Sequence, residues 1–268
     1  LQSSGLNIGL PDVEGQCGAL LLVDLVGRAE QLLHTGGGWQ DQVGGIYGGL
    51  KSSVSSGVLP LNVRVQQISI HPVLHRRLEQ RMFLVYSGVA RVARGTLLDV
   101  LGKFAMQPSV REGETKRKQK TTAMTGIISN ACSLQQLLQS RAASECHTQD
   151  QADAVVDDIA AHVEVYWEQK KSLAGGTETI FLRNLLSRLN ETCAGVSACG
   201  AGAGGFVVCF LRRGVNVKAL AKVIKCVREE VSVAEPCSPQ TMVSLHAVKI
   251  NMSGVVSSAS NGLNEPVI

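Results

Sequence analysis

A chain of 268 residues with 44% hydrophobic and 18% charged residues has the make-up of a folded globular protein, long enough for one large domain or two smaller ones. The net charge is +4, with much of the excess in one run, REGETKRKQK (Arg111 to Lys120), so a chain-wide basic field for nucleic acid is poorly supported. No segment approaches the roughly 18–20 consecutive apolar residues of a membrane span.

Residues 1–16 are polar, rich in Gly and Pro, and show no periodicity. From Cys17, CGALLLVDLVGRAEQLLHT sets apolar residues on a broad helical stripe that stops at the glycines from Gly36. Ile46 and Tyr47 lead into a Ser/Gly stretch, LKSSVSSGVLP, and the alternation in LNVRVQQISI (Leu61 to Ile70) predicts a strand. RMFLVYSG (Arg81 to Gly88) predicts another strand, running into a helix at VARVARGTLLDVLGKF. Residues 105–125 break periodicity and predict an exposed insertion, its basic run a solvated loop. Helices are predicted over about 126–144 and 149–172. A third, TETIFLRNLLSRLNETC (177–193), starts near Thr177, whose hydroxyl would cap it with Glu178 in the first turn. GAGAGG (Gly200 to Gly205), a strand FVVCFLR, a helix VNVKALAKVIKCVREE and a last strand SLHAVKINM follow. Strands and helices mix without regular βαβ alternation, which predicts an α+β fold.

Eight cysteines include no CxxC pair and no histidine partners at zinc spacing, so they read as reduced thiols of a reducing compartment. Cys209, inside GFVVCFL, reads as a small core hydrophobe.

The densest signal is EQLLHTGGGWQDQVGGIYGGLK (Glu30 to Lys51), with seven glycines inside fourteen residues around Trp39 and Asp41. Glycine at that density costs backbone entropy, so an ordered segment of this kind requires unusual dihedrals or close backbone approach. The segment is a candidate site.

TGGGWQDQVGG resembles the signature of the sugar-kinase branch of the GHMP kinases, most of all the L-fucokinase type, with the bacterial heptose-7-phosphate kinases next. LVYSGVARVARGTLLDVL, with Ser87 where Thr is usual, YWEQKKSLAGG and GAGAGGFVV resemble three further fucokinase segments in the same order. The resemblance spans about Glu30 to Val208. It implies transfer of a phosphoryl group from ATP, with Mg²⁺, to the anomeric hydroxyl of L-fucose or a related sugar such as D-arabinose. It further implies a cytoplasmic protein fused to or associated with a nucleotide-sugar pyrophosphorylase domain, with no nucleic-acid or membrane partner. A non-catalytic remnant of the fold, or a regulatory partner, is the alternative of a different class.

Residue by residue, the resemblance implies Asp41 as catalytic base or electrostatic anchor for the attacking hydroxyl. Glu30, eleven residues upstream, is implied as the Mg²⁺ ligand. Gly36, Gly37, Gly38, Trp39, Gln40 and Gln42 are implied to frame the substrate. Gly200, Gly202, Gly204 and Gly205 are implied to bring backbone N–H groups to phosphate, with Arg91 and Lys170 as further contacts. Ala203 replaces a glycine usual in that loop, a change that matters if the position requires positive φ.

In domain terms, residues 1–60 are expected to complete an N-terminal S5-like GHMP domain. Residues 61–268 are expected to form a C-terminal domain with a ferredoxin-like split-βαβ sheet and the insertion at 105–125. The phosphate-binding loop of the resemblance, Pro-x-x-x-Gly-Leu-Gly-x-Ser-Ser, belongs about one helix upstream of Glu30 and opens a helix. LQSSGLNIGLPDVEGQ lacks that order, so the expectation is a chain that starts just downstream of the motif and is inactive by itself.

Overall fold

The computed structural model describes residues 16–32, 38–55, 62–89, 112–141, 146–173, 177–234 and 242–254. They fall into two compact units, one holding the described residues up to 67 together with 250–254, the other those of 68–249.

The smaller unit contains α1 (Gln16–Leu32), α2 (Gln40–Ile46), β1 (Leu50–Ser55) and β2 (Val63–Ile68), the two strands forming their own sheet. Its core joins Ala19 and Val23, one turn apart on α1, to Val43, Tyr47, Val63 and Val65. The sequence reading passes over β1, because LKSSVS has no clean apolar alternation; its pairing with β2 supplies what the pattern lacks. The chain returns at Asn251, whose carbonyl accepts from Gly49 N–H at 2.7 Å. A Cβ on Gly48 would lie 2.5 Å from the Met252 carbonyl carbon, so only glycine admits that approach.

The larger unit contains α3 (Pro72–Arg81), β3 (Met82–Tyr86), α4 (Glu112–Arg141), α5 (Gln149–Leu173), α6 (Ile180–Leu189), β4 (Cys193–Ala198), β5 (Phe206–Leu211), α7 (Val217–Ala234) and β6 (Ser244–Ala247). The sheet order is β4-β5-β3-β6, antiparallel throughout. That is the ferredoxin-like order expected, with α4, α5 and α6 between its first two strands. Alternation puts Phe83, Val85, Val196, Val207, Cys209 and Leu211 into the core. Leu182, Leu185, Leu186 and Leu189 on α6 meet them as a helical stripe, with Leu220, Ile224 and Val227 from α7. Gly195 points the other way along β4, and a Cβ there would lie 2.7 Å from the Ala160 carbonyl carbon of α5.

Three expectations are corrected. The stretch from Glu112 to Arg141 is one helix, so the irregular reading of 112–125 fails. Lys, Arg, Glu and Gln are good helix formers whatever their apolar periodicity. The cap of α6 is Thr179, whose hydroxyl accepts from Leu182 N–H at 3.1 Å, so the helix starts two residues later than expected and Glu178 precedes it. Cys193 begins a strand rather than ending that helix.

Candidate functional site

Two glycine segments carry the site residues implied by the sequence, one in each unit. In the smaller unit, Trp39 is the N-cap of α2, with φ −83° and ψ −4° and no side-chain cap bond. Its ring is partly buried against the core around Val43 and Tyr47. Asp41 stands in the first turn of α2, exposed, where the helix N-terminus favours a carboxylate. Its carboxylate has no partner among the described residues. Gln40 and Gly38 are exposed, whereas Gln42 turns inward, and both of its amide atoms are buried without a hydrogen-bond partner. An unpaired buried amide is costly, so Gln42 is the uncompensated polar group of this segment. Glu30 lies near the end of α1, half-buried. Gly36, Gly37 and Arg91 lie outside the described residues.

The other end of α2 is held by Lys51 of β1, a residue the sequence reading does not single out. Its ammonium donates to the carbonyls of Gly44, at 3.1 Å, and Tyr47. A cation there complements the helix C-terminus, and burial lowers the lysine's pKa.

In the larger unit, Gly200, Gly202, Gly204 and Gly205 all have positive φ, and so does Ala203 at 62°. The position therefore does require the left-handed region that makes alanine uncommon there. The loop is stitched on both sides. Ala203 N–H donates to the Thr177 carbonyl at 2.7 Å, and Gly205 N–H donates to the Val89 carbonyl at 2.8 Å. The Gly205 carbonyl accepts from Ser87 N–H at 2.9 Å. A Cβ on Gly202 would lie 2.6 Å from the Thr177 oxygen, and one on Gly204 2.8 Å from the Val89 oxygen. The N–H groups of Gly200, Ala201 and Gly204 donate to no acceptor among the described residues. Those of Gly200 and Ala201 are consecutive, and successive free amides can form a concavity that takes an anion.

Lys170, near the end of α5, reaches this loop. Its ammonium donates to the carbonyls of Ala198, at 3.1 Å, and Gly200. It also stands over the rings of Tyr166 and Trp167, 5.4 and 5.7 Å from their centroids. Burial lowers its pKa to about 8, against a small opposing pull from Cys199.

A buried ion network fixes the start of α5 against α3 and β5. Arg81 donates to the Asp153 carboxylate at 2.7 Å, to Asp157 at 2.5 Å and to the Leu211 carbonyl at 2.6 and 2.9 Å. Arg77 adds a bidentate grip on Asp153 at 2.6 and 2.9 Å. No apolar periodicity announces this network. Its signal is two charge pairs of opposite sign at helical i,i+4 spacing, Arg77/Arg81 and Asp153/Asp157.

Among the described residues, no group of three or more His, Cys, Asp or Glu gathers into an all-protein metal site. Mg²⁺ uses one or two carboxylates together with substrate phosphates and water, and the carboxylates of Glu30 and Asp41 are donors of that chemistry. No helix among the described residues is long and apolar enough to cross a membrane.

No family model matches the sequence. In sequence the chain is nonetheless similar to fucokinases. It is 28% identical over 71% of its length to the bifunctional fucokinase/GDP-fucose pyrophosphorylase of Arabidopsis thaliana. It is 25% identical over 66% to the L-fucokinase/L-fucose-1-P guanylyltransferase of Bacteroides fragilis. The chain spans 16% of the length of each of these relatives. Among solved structures, L. major mevalonate kinase in complex with R-mevalonate is 16% identical, with a TM-score of 0.49 over 76% of this chain and 50% of that one.

Proposed function

We propose that the chain carries part of an ATP-dependent sugar 1-kinase of fucokinase type. The observation that supports it best is Asp41, an exposed carboxylate without a partner among the described residues. It opens α2 inside a fucokinase-like glycine signature. In this reading the Asp41 carboxylate accepts the proton of the anomeric hydroxyl as that oxygen attacks the γ-phosphorus of ATP. The new C–O–P link forms as the bridge to the β-phosphate breaks, and ADP leaves. Glu30 would hold Mg²⁺, which supplies charge neutralisation at the phosphates when bound. Within the larger unit, the unbonded amides of Gly200, Ala201 and Gly204 are by themselves donors suited to an anion. The proposed substrate is L-fucose, with D-arabinose as a close analogue. The sugar 1-phosphate is the kind of product that the second activity named for both relatives would consume. The free thiols, Cys193, Cys199 and Cys209 among them, agree with a reducing, cytoplasmic setting.

The test is γ-phosphoryl transfer from ATP to L-fucose, D-arabinose or a heptose phosphate. It is run with these 268 residues and with the longest expressed polypeptide that carries them. Formation of a sugar 1-phosphate from L-fucose supports the reading. Transfer to the heptose phosphate alone moves the assignment to that substrate class, and sugar or ATP binding without turnover in either polypeptide overturns it.

A further inference from the structure

The last carbonyl of β4, Ala198, and the first of the glycine loop, Gly200, point at one ammonium, and that fixes which way the Gly200–Ala201 peptide faces. A trans peptide is planar, with its C=O and N–H on opposite sides. The Gly200 carbonyl is turned to the Lys170 ammonium, so the N–H of the same peptide unit, that of Ala201, points away from the lysine. No protein acceptor among the described residues meets it there. The neighbouring Ala198 carbonyl is held by the same ammonium at 3.1 Å, while Cys199 N–H is taken inward by the Phe206 carbonyl at 2.8 Å.

Resting on the phosphoryl-transfer reading, we propose that Lys170 is a positioning residue rather than a direct substrate contact. By pinning the Ala198 and Gly200 carbonyls, its ammonium turns the Ala201 N–H outward and presets the loop as a donor for a phosphate-type anion.

The surroundings are built for that task. The ammonium lies over Tyr166 and Trp167, which restrict where the charge can go. Lys171, the next residue, also stands over the Trp167 ring at 5.9 Å, but its charge is paired with Glu168 at 2.6 Å and Glu178 at 3.7 Å. The titratable groups that face Lys170 are Tyr166 and Cys199, and burial pushes both upward from their ordinary ranges. Lys170 itself is brought down to about 8. The lysine therefore loses its proton first as pH rises, and the grip on the loop weakens near that pH.

The test is carbon-detected NMR of the 268-residue chain from about pH 6.5 to 9.5. The reporters are the Ala198 and Gly200 carbonyl shifts, read with and without inorganic phosphate. In the wild type both carbonyls move together with a midpoint near about 8, and the phosphate response of Ala201 fades over the same range. Lys170→Met removes the titration and weakens phosphate binding about tenfold, the loss of one good hydrogen bond to a charged group. Lys170→Arg, charged at every pH used, holds the low-pH shifts and keeps the phosphate response at high pH. A Cys199→Ser background removes the thiol's opposing pull, so the midpoint moves slightly lower while the titration of both carbonyls persists. If Lys170→Met does not fold, the Lys170→Arg comparison decides alone. Carbonyl shifts flat through pH 8 in the wild type, or phosphate bound equally well by Lys170→Met, would overturn the proposal. Neither readout requires turnover, so a failure of the kinase reading stays distinguishable from a failure of this one.

Discussion

Replacing Arg81 with Met removes a guanidinium that is 3% exposed and donates to Asp153, Asp157 and the Leu211 carbonyl. The methionine fills most of the volume, so the loss is electrostatic rather than a cavity. Asp153 keeps Arg77 as a partner, but the Leu211 carbonyl and one side of Asp153 are left in a buried site without their donors. Breaking a buried pair from one side costs about 3–5 kcal/mol, against a total domain stability of roughly 5–15 kcal/mol. For a chain of this size that corresponds to a fall in Tm of roughly 6–20 °C. Arg77→Met should cost less, about 1–3 kcal/mol, because its side chain is 24% exposed and Asp153 retains Arg81. Arg81→Met combined with Asp153→Leu should cost less than the sum of the two single changes, by a coupling of about 0.5–3 kcal/mol. Urea and thermal melts followed by circular dichroism read all four proteins. A loss under about 1 kcal/mol for Arg81→Met, or strict additivity in the double variant, would refute the view that this network clamps α5 to the sheet.

Ala203→Gly should change stability by less than about 1 kcal/mol, since relief of the positive φ offsets the lost buried methyl. Ala203→Val, a β-branched residue at the same φ, should cost about 2 kcal/mol or more in a urea melt. Gly195→Ala should cost about 1–3 kcal/mol, because its Cβ meets the backbone of Ala160 and not a side chain that can move. At low pH, Asp153 gives the larger unit a specific weakness. Burial pushes its carboxyl upward, but hydrogen bonds and charge from Arg77 and Arg81 outweigh this and hold it below the ordinary value. Its folded pKa is depressed, so its contribution is present above about pH 4 and is lost as pH falls through the folded value. Asp153→Asn should flatten the acid limb of a stability-versus-pH curve.

Much of the larger unit is legible in the sequence because its elements are apolar with clear periods. FVVCFL alternates into the core, and Leu182, Leu185, Leu186 and Leu189 recur on one helical face. The elements that escape are those stabilised from outside their own span. The helix α3 carries only Leu74 and Leu78 inward among charged residues, and its ion pairs reach partners more than seventy positions away. The strand β4, CAGVSA, is small and glycine-bearing because α5 packs directly on it. In the candidate site, the glycines and Asp41 are visible as a pattern. The two lysines that hold the glycine segments, Lys51 and Lys170, bond to backbone carbonyls that no side-chain pattern announces.

The most direct measurement is γ-phosphoryl transfer from ATP to L-fucose by the longest expressed polypeptide carrying these residues, wild type against Asp41→Asn. The expected result is formation of the sugar 1-phosphate, slowed by about 10²–10⁴-fold in the variant at unchanged thermal stability. A variant that transfers phosphate as fast as the wild type would contradict the role assigned to Asp41. A wild type that phosphorylates no sugar would contradict the kinase itself.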